Sequence, residues 1–339
     1  MPARWIDFGE DIVEIDKLIS GDKEALRTAD KYAPLPYIMA IAAERHYRKD
    51  VISVTTGLNG NRLNWLQRFV NYTINFDSTA FRALGVSVHA LLENEDVSPI
   101  LDCSVEQRIE FDRITGRYDL WYELDRRVLV DYKTVGSFAI VDALGVVESG
   151  RKPKLDADGN QEYYQRNGKG YKAGDPKTEK VYTYNIKRGN NLKYRMQGTM
   201  YKILLGRSGV PIDEYRVFFI VRDGGLSATY SRGVSKRSYY VQFPFLDEGK
   251  TLQFYRDRRD ELVSLTEQTE KLVSGDYSNE KFVDAVKKSD MEIPAPCSPE
   301  EAWDGRRCSG YCSVASVCKD FGCPYIKGGK KIDEELRNF

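Results

Sequence analysis

Val128-Leu129-Val130 runs without a break into Asp131-Tyr132-Lys133. A continuous apolar run of this kind suits a central strand covered on both faces, and the cover in such a fold comes from helices. It points to an α/β class and excludes an all-helical bundle. It also sets an acid and a cation in an interior element. Asp131 and Lys133 are two apart, so in an extended chain both leave the same face. A carboxylate there is costly unless a ligand or counter-charge satisfies it.

The preceding residues, Arg113 to Leu124, are rich in β-branched and aromatic types, and the charged Asp125-Arg126-Arg127 separates them from Val128 to Val135. This is the pattern of a β-hairpin. With its turn about Asp125, Asp119 falls opposite Asp131 and two carboxylates come within reach of one ion. Oxygen donors of that kind suit Mg²⁺. A surface hairpin with scattered charges is the plainer account of a lone D-x-K.

Elsewhere the period is mostly helical. Helices are expected over Leu35 to Tyr47, Leu63 to Asn71 and Ser78 to Leu92, the last with Phe81, Leu84, Val88, Leu91 and Leu92 as one buried stripe that also carries His89. Residues 1–80 read as a mainly helical region. Asn191 to Leu205 is a helix whose core face is Leu192, Met196, Met200, Ile203 and Leu204, ended by Gly206. Strands at Tyr215 to Arg222 and Tyr239 to Phe243 precede a long amphipathic helix from Glu248 to Leu272. Residues 146–190, with many Gly, Lys and Tyr and little periodicity, read as a partly mobile insertion into a core of residues 81–290. A Cys-rich segment, 291–339, follows.

Lys plus Arg and Asp plus Glu both total 51, so net charge gives no hint of a polyanionic partner. Local charge does. Arg151 to Lys193 holds eleven Lys/Arg against five Asp/Glu, interleaved with Tyr163, Tyr164, Tyr171, Tyr182 and Tyr184. Cations among aromatic rings are the footprint of single-strand binding, which makes Lys169, Lys172, Lys177, Lys180, Tyr163 and Tyr171 candidate nucleic-acid contacts. A solvated hairpin kept soluble by its lysines accounts equally well for the composition. No stretch approaches the roughly 18 apolar residues of a membrane helix, and the acidic, broken N-terminus is unlike a secretion signal.

Gly116-Arg117-Tyr118-Asp119 followed by Asp131-Tyr132-Lys133 resembles the core motif of the PD-(D/E)XK nuclease superfamily. Gly85-Val86-Ser87-Val88-His89 is similar to the G-x-x-x-H element of its RecB-like branch, and Gln197-Gly198-Thr199-Met200-Tyr201 to that branch's Q-x-x-x-Y helix. Asp119 lacks the preceding proline of the name. The resemblance implies an α/β restriction-endonuclease-like core, a mixed central sheet flanked by helices. It further implies Mg²⁺ or Mn²⁺ bound by His89, Asp119, Asp131 and the Tyr132 carbonyl. Lys133 would steady charge on the phosphate or orient the attacking water. Gln197 and Tyr201, four apart on one helical face, would reach the DNA strand or the lysine-bound water.

Five of the six cysteines lie between Cys297 and Cys323, a concentration that a secreted disulfide framework rarely shows. Cys308, Cys312, Cys318 and Cys323 are separated by three, five and four residues, unlike the paired C-x-x-C knuckles of most zinc sites. This irregular spacing suits a [4Fe-4S] cluster. The C-x(5)-C step resembles the C-terminal cluster staple of AddB and the CRISPR-associated exonucleases. Those relatives, however, have C-x-x-C where this chain has Cys308-x-x-x-Cys312, and they take one ligand from upstream of the histidine. The fourth ligand is then Cys297, Cys323 or, more remotely, Cys103. A local Zn²⁺ clamp or free thiols are the alternative.

The combined expectation is a metal-dependent DNA nuclease, an exonuclease acting at ends or on single strands, in the cytoplasm of a bacterial or phage-infected cell. Nothing resembles G-x-x-x-x-G-K-[ST], so a helicase or recombination partner would be a separate polypeptide. The rivals are a non-catalytic DNA-end-binding recombination accessory protein of the same fold and a zinc-stabilised adaptor.

Overall fold

The computed structural model describes residues 3–42, 48–95, 97–273, 275 and 278–325. The chain opens with β1 (Ala3–Asp7), β2 (Ile12–Glu14), α1 (Ile15–Ile19), α2 (Lys23–Asp30) and α3 (Leu35–Ala42). These bury Ile6, Leu18, Ala29 and Ile38 in a small core of their own. The expected helix over 35–47 is described as far as Ala42, and His46 lies outside the described residues. Next come β3 (Ile52–Ser53), α4 (Val54–Gly57) and α5 (Asn61–Phe69), whose Trp65 and Leu66 belong to the main core instead. β4 (Tyr72–Asn75) then returns to pair in parallel with β1, which is flanked on its other side by β2. The first 80 residues are thus part sheet and divided between two cores, because Tyr72–Asn75 completes a sheet begun by residues far from it in sequence.

α6 (Phe76–Glu93) starts at the Asn75 side chain, which accepts from the Ser78 N–H at 3.0 Å. Its apolar stripe is not buried as the spacing predicts. Gly85, Val88, His89 and Leu92 are half-covered, whereas Phe81, Leu84 and Leu91 are exposed. The helix packs against Tyr72–Asn75 and Arg127–Val135 and leaves part of its apolar stripe uncovered, since an i, i+3, i+4 pattern marks apolar residues without saying how many have a neighbour.

Five strands follow, β5 (Asp102–Val105), β6 (Arg108–Phe111), β7 (Ile114–Arg117), β8 (Leu120–Glu123) and β9 (Arg127–Val135). The expected hairpin is broken at Tyr118-Asp119. β7 pairs with β3 and β6 in one sheet, while β8 joins β9 and β5 in another. β9 leads to α7 (Ser137–Leu144), then to β10 (Val146–Pro153) and β11 (Thr178–Tyr184). Those two strands pair antiparallel, and bridges at Leu155–Gln161 and Tyr163–Pro176 carry the pairing outward. The segment of little periodicity, whose composition a solvated hairpin accounts for equally well, is a long two-stranded arm. Cross-strand bonds form such a ribbon without the alternating apolar pattern that a buried strand needs.

α8 (Leu192–Arg207), β12 (Glu214–Val221), α9 (Ser227–Tyr230), β13 (Ser238–Phe243), α10 (Glu248–Leu272) and α11 (Asn279–Lys288) complete the body. The main sheet has the order β13-β12-β9-β8-β5, with β12 parallel to β9 and the other pairs antiparallel. Val128, Leu129 and Val130 are buried, as a central strand requires. The molecule is mixed α/β, with helices against mixed sheets. On α8, Met200, Ile203 and Leu204 are buried but Leu192 is exposed in the first turn. The last described residues form short helices at Pro299–Ala302, Arg306–Gly310 and Ala315–Cys318. No helix among the described residues is long and apolar enough to cross a membrane.

α8 lies unusually close to β12 at Gly198, where an added Cβ would stand 2.3 Å from the buried ring of Tyr215. Gly198→Ala must push helix and strand apart and is expected to cost about 1–3 kcal/mol. Equilibrium urea unfolding measures that loss, and an unchanged midpoint would contradict the close approach.

Candidate metal centre

The β8–β9 ladder runs from Glu123↔Arg127 to Leu120↔Val130, and one step further along this register Asp119 meets Asp131, as the hairpin spacing predicts. The Tyr132 N–H donates to Asp119 Oδ2 at 2.5 Å and fixes that carboxylate against β9. Asp131 accepts from the Gln197 amide at Oδ1, 2.8 Å away. Its Oδ2 is in ion-pair contact with the Lys133 ammonium. His89 enters from α6, with Nε2 3.2 Å from the Tyr132 carbonyl and Nδ1 3.5 Å from Asp119 Oδ1. Four separate parts of the chain thus bring His89, Asp119, Asp131, Tyr132, Lys133 and Gln197 together.

Glu106 joins them unannounced by the sequence. Its Oε1 lies 3.1 Å from His89 Nδ1, and its Oε2 lies 2.6 Å from Arg117 Nε. Its own N–H donates to the Asp119 carbonyl at 2.9 Å. The backbone there has φ 51°, a conformation that costs a non-glycine residue about 1–3 kcal/mol and persists where surrounding contacts over-determine it. Donor atoms of His89, Glu106 and Asp119 all lie within 4.8 Å of one another. A cavity of about 500 Å³ opens beside Glu106, lined by Ser53, Thr55, Arg108, Thr115 and Arg117. Only the break between β7 and β8 brings Glu106 here, and no motif spacing marks such a break.

Burial, and next the charge of Asp131, raise the Asp119 carboxyl to about 7, against the pull of Lys133 and His89. Burial disfavours charge on Lys133, but Asp131 and Asp119 outweigh it and hold the ammonium above its usual range. Two carboxylates, a backbone carbonyl and an imidazole form an oxygen-rich donor set of the kind that suits Mg²⁺ or Mn²⁺. His89, Asp119, Asp131 and the Tyr132 carbonyl could hold such an ion.

Tyr201 departs from its expected role. It is buried, and its hydroxyl donates to the Arg117 carbonyl at 2.8 Å. Gln197 is also buried and engaged with Asp131. Neither presents itself to a DNA strand. On the arm, Lys177 pairs with Glu162 at 2.9 Å and Lys180 with Glu148 at 2.7 Å, so two of the four expected phosphate contacts already face acids. Tyr171 stacks on Tyr164 at 3.8 Å, while Tyr163 is half exposed. Lys169 and Lys172 lie exposed at the tip.

All six cysteines stand outside disulfides. Cys103 belongs to β5, away from the others in sequence and element. Cys297, Cys308, Cys312, Cys318 and Cys323 lie close enough to perturb one another's ionisation. Burial, followed by Cys323, pushes Cys308 and Cys318 up to about 12. Arg62 near Cys318, and Arg307 near Cys297 and Cys312, work in the opposite sense and favour thiolates. A close group of thiols with arginines beside it fits a thiolate-bound iron-sulfur cluster or zinc. Buried Arg62 ties the segment down by donating to the Pro294 and Phe321 carbonyls at 2.7 and 2.9 Å.

No family model matches the chain, and no curated protein matches it. A solved structure that resembles it is the crystal structure of SSO0001, at 12% identity over 83% of this chain and 91% of that one. The TM-score is 0.31, too low to carry an argument about fold or function.

The raised Asp119 carboxyl has a sign that can be measured. Its contribution to stability is complete below the ordinary value of 3.8 and is lost as pH rises through about 7. Without divalent ions, the melting temperature is expected to fall between pH 5 and 8, by an amount corresponding to on the order of a few kcal/mol. Asp119→Asn should flatten most of that fall in a fluorimetric melting series. An equal slope in the variant would show that Asp119 is not the group responsible.

Proposed function

We propose that this chain is a PD-(D/E)XK nuclease of the RecB-like kind, hydrolysing phosphodiester bonds of DNA at ends or in single strands with Mg²⁺ or Mn²⁺. The observation that carries this reading is the meeting of Asp119 with Asp131 across the β8–β9 register, with His89 and Lys133 beside them. A bound ion would supply Lewis-acid stabilisation of the phosphoryl oxygen and a more acidic attacking water.

The chain's own residues do the positioning. Gln197 holds one oxygen of Asp131, and the other meets the Lys133 ammonium. Glu106 engages Nδ1 of His89, the kind of carboxylate–imidazole contact that orients a metal-binding histidine. The Tyr132 N–H anchors Asp119. Lys133 keeps its charge and about a quarter of its side-chain surface open, so its ammonium can meet a phosphate while still in contact with Asp131. Cys308, Cys312 and Cys318, with Cys297 or Cys323, would hold a [4Fe-4S] cluster that staples the C-terminal segment to the core, with Zn²⁺ as the alternative. On the arm, Lys169, Lys172 and Tyr163 remain the contacts best placed for DNA.

End-labelled single- and double-stranded DNA should be shortened by the purified protein in Mn²⁺ and left intact in EDTA. Asp131→Asn and Lys133→Ala should each reduce cleavage about 10²- to 10³-fold or more while the protein stays folded. Full activity in either variant would overturn the assignment. Protein purified anaerobically should absorb broadly in the visible and yield iron and acid-labile sulfide. A colourless preparation with stoichiometric zinc would select the zinc alternative.

A further inference from the structure

The two elements that supply the candidate metal ligands also carry a matched pair of exposed rings. Phe81 lies eight residues before His89 on α6, about 12 Å along the helix. Phe138 lies five residues after Lys133, at the start of α7. Both are largely open to solvent, 59% and 66%. Each has a guanidinium over its face. Arg222 sits 3.9 Å from the Phe81 ring centroid and Arg232 sits 4.1 Å from that of Phe138. Both arginines come from the chain between β12 and β13.

The location is the carboxyl end of the parallel pair β9 and β12, where the Arg222 N–H donates to the Val135 carbonyl at 2.9 Å. Open α/β sheets bind ligands beyond the carboxyl ends of parallel strands. Arg232 is also tied to Ser137 Oγ at 2.9 Å and lies 3.6 Å from Asp223, which fixes its position. No carboxylate among the described residues pairs with Arg222. The loop beyond Tyr230 also receives the base of the arm, since the Tyr184 hydroxyl donates to the Gly233 carbonyl at 3.2 Å and that of Tyr182 to the Ser231 carbonyl.

We infer that Phe81–Arg222 and Phe138–Arg232 form a clamp for single-stranded DNA beside the candidate metal centre. The inference rests on the nuclease reading. An exposed ring offers a base a stacking surface, and a guanidinium at the ring's face can meet the adjoining phosphate without leaving its place. A strand engaged at Lys133 and followed along β9 would reach these pairs first and the arm afterwards. The clamp would therefore act on strands longer than the few nucleotides at the metal and would not act on shorter ones.

Fluorescence anisotropy with 5′-fluorescein oligothymidylates of 2 and 12 nucleotides, in Ca²⁺ to hold back cleavage, tests this. Phe81→Ala, Arg222→Gln and Phe138→Ala should each weaken the 12-mer about 5- to 100-fold. The dinucleotide affinity, melting temperature and calorimetric Mn²⁺ affinity should stay as in wild type. If one variant melts early, the other two carry the comparison, because all three side chains are exposed. Twelve-mer affinities within twofold of wild type in the folded variants would overturn the clamp even if wild type cleaves DNA. Loss of 12-mer affinity with a wild type that cleaves nothing would sustain the clamp and remove the nuclease reading.

Discussion

Two buried carboxylates facing each other across a sheet are expensive, and much of the surrounding structure is arranged around that cost. Asp119 and Asp131 repel at short range where water is scarce, and the interior answers in three ways. It raises the carboxyl of Asp119, so that a proton can remain there near neutral pH. It brings up Lys133 as a counter-charge and sets the His89 ring beside Asp119. It supplies the Tyr132 N–H and the Gln197 amide as donors.

Gln197 and Tyr201 show how one helix serves both acidic strands. Four residues apart, they share a face of α8, and the spacing alone gives them one common target. The helix instead spreads them. Gln197 holds the side chain of Asp131 on β9, while Tyr201 reaches a turn further and holds the Arg117 carbonyl, two residues before Asp119. The close approach at Gly198 lets the helix come near enough for both. The distance between the two carboxylates is therefore fixed partly by a helix that contributes neither of them.

Much of this was legible where the determinants are local. The apolar run before Asp131 marks a central strand, the turn about Asp125 sets the register, and Glu248–Leu272 is a helix over the span its pattern describes. What escaped depends on partners distant in sequence. The division of the hairpin between two sheets follows from β3 and β6 claiming β7, and Glu106 enters the centre because of that division. The half-exposed α6 and the length of the regular arm escaped for a related reason. A periodic pattern records which residues are apolar and not whether a second layer exists to cover them, and a ribbon held by backbone bonds leaves little trace in side-chain order.

The peptide of Tyr132 offers its N–H to Asp119 and its carbonyl to His89 and any bound ion. Neither contribution uses the tyrosine side chain, so the identity of residue 132 says nothing about its part in the centre. What the centre depends on is alignment. Slipping β9 by one residue against β8 would turn Asp131 and Lys133 to the opposite face and replace them with valine, tyrosine and threonine. A chain that pairs these strands one residue out of step does not assemble the centre at all.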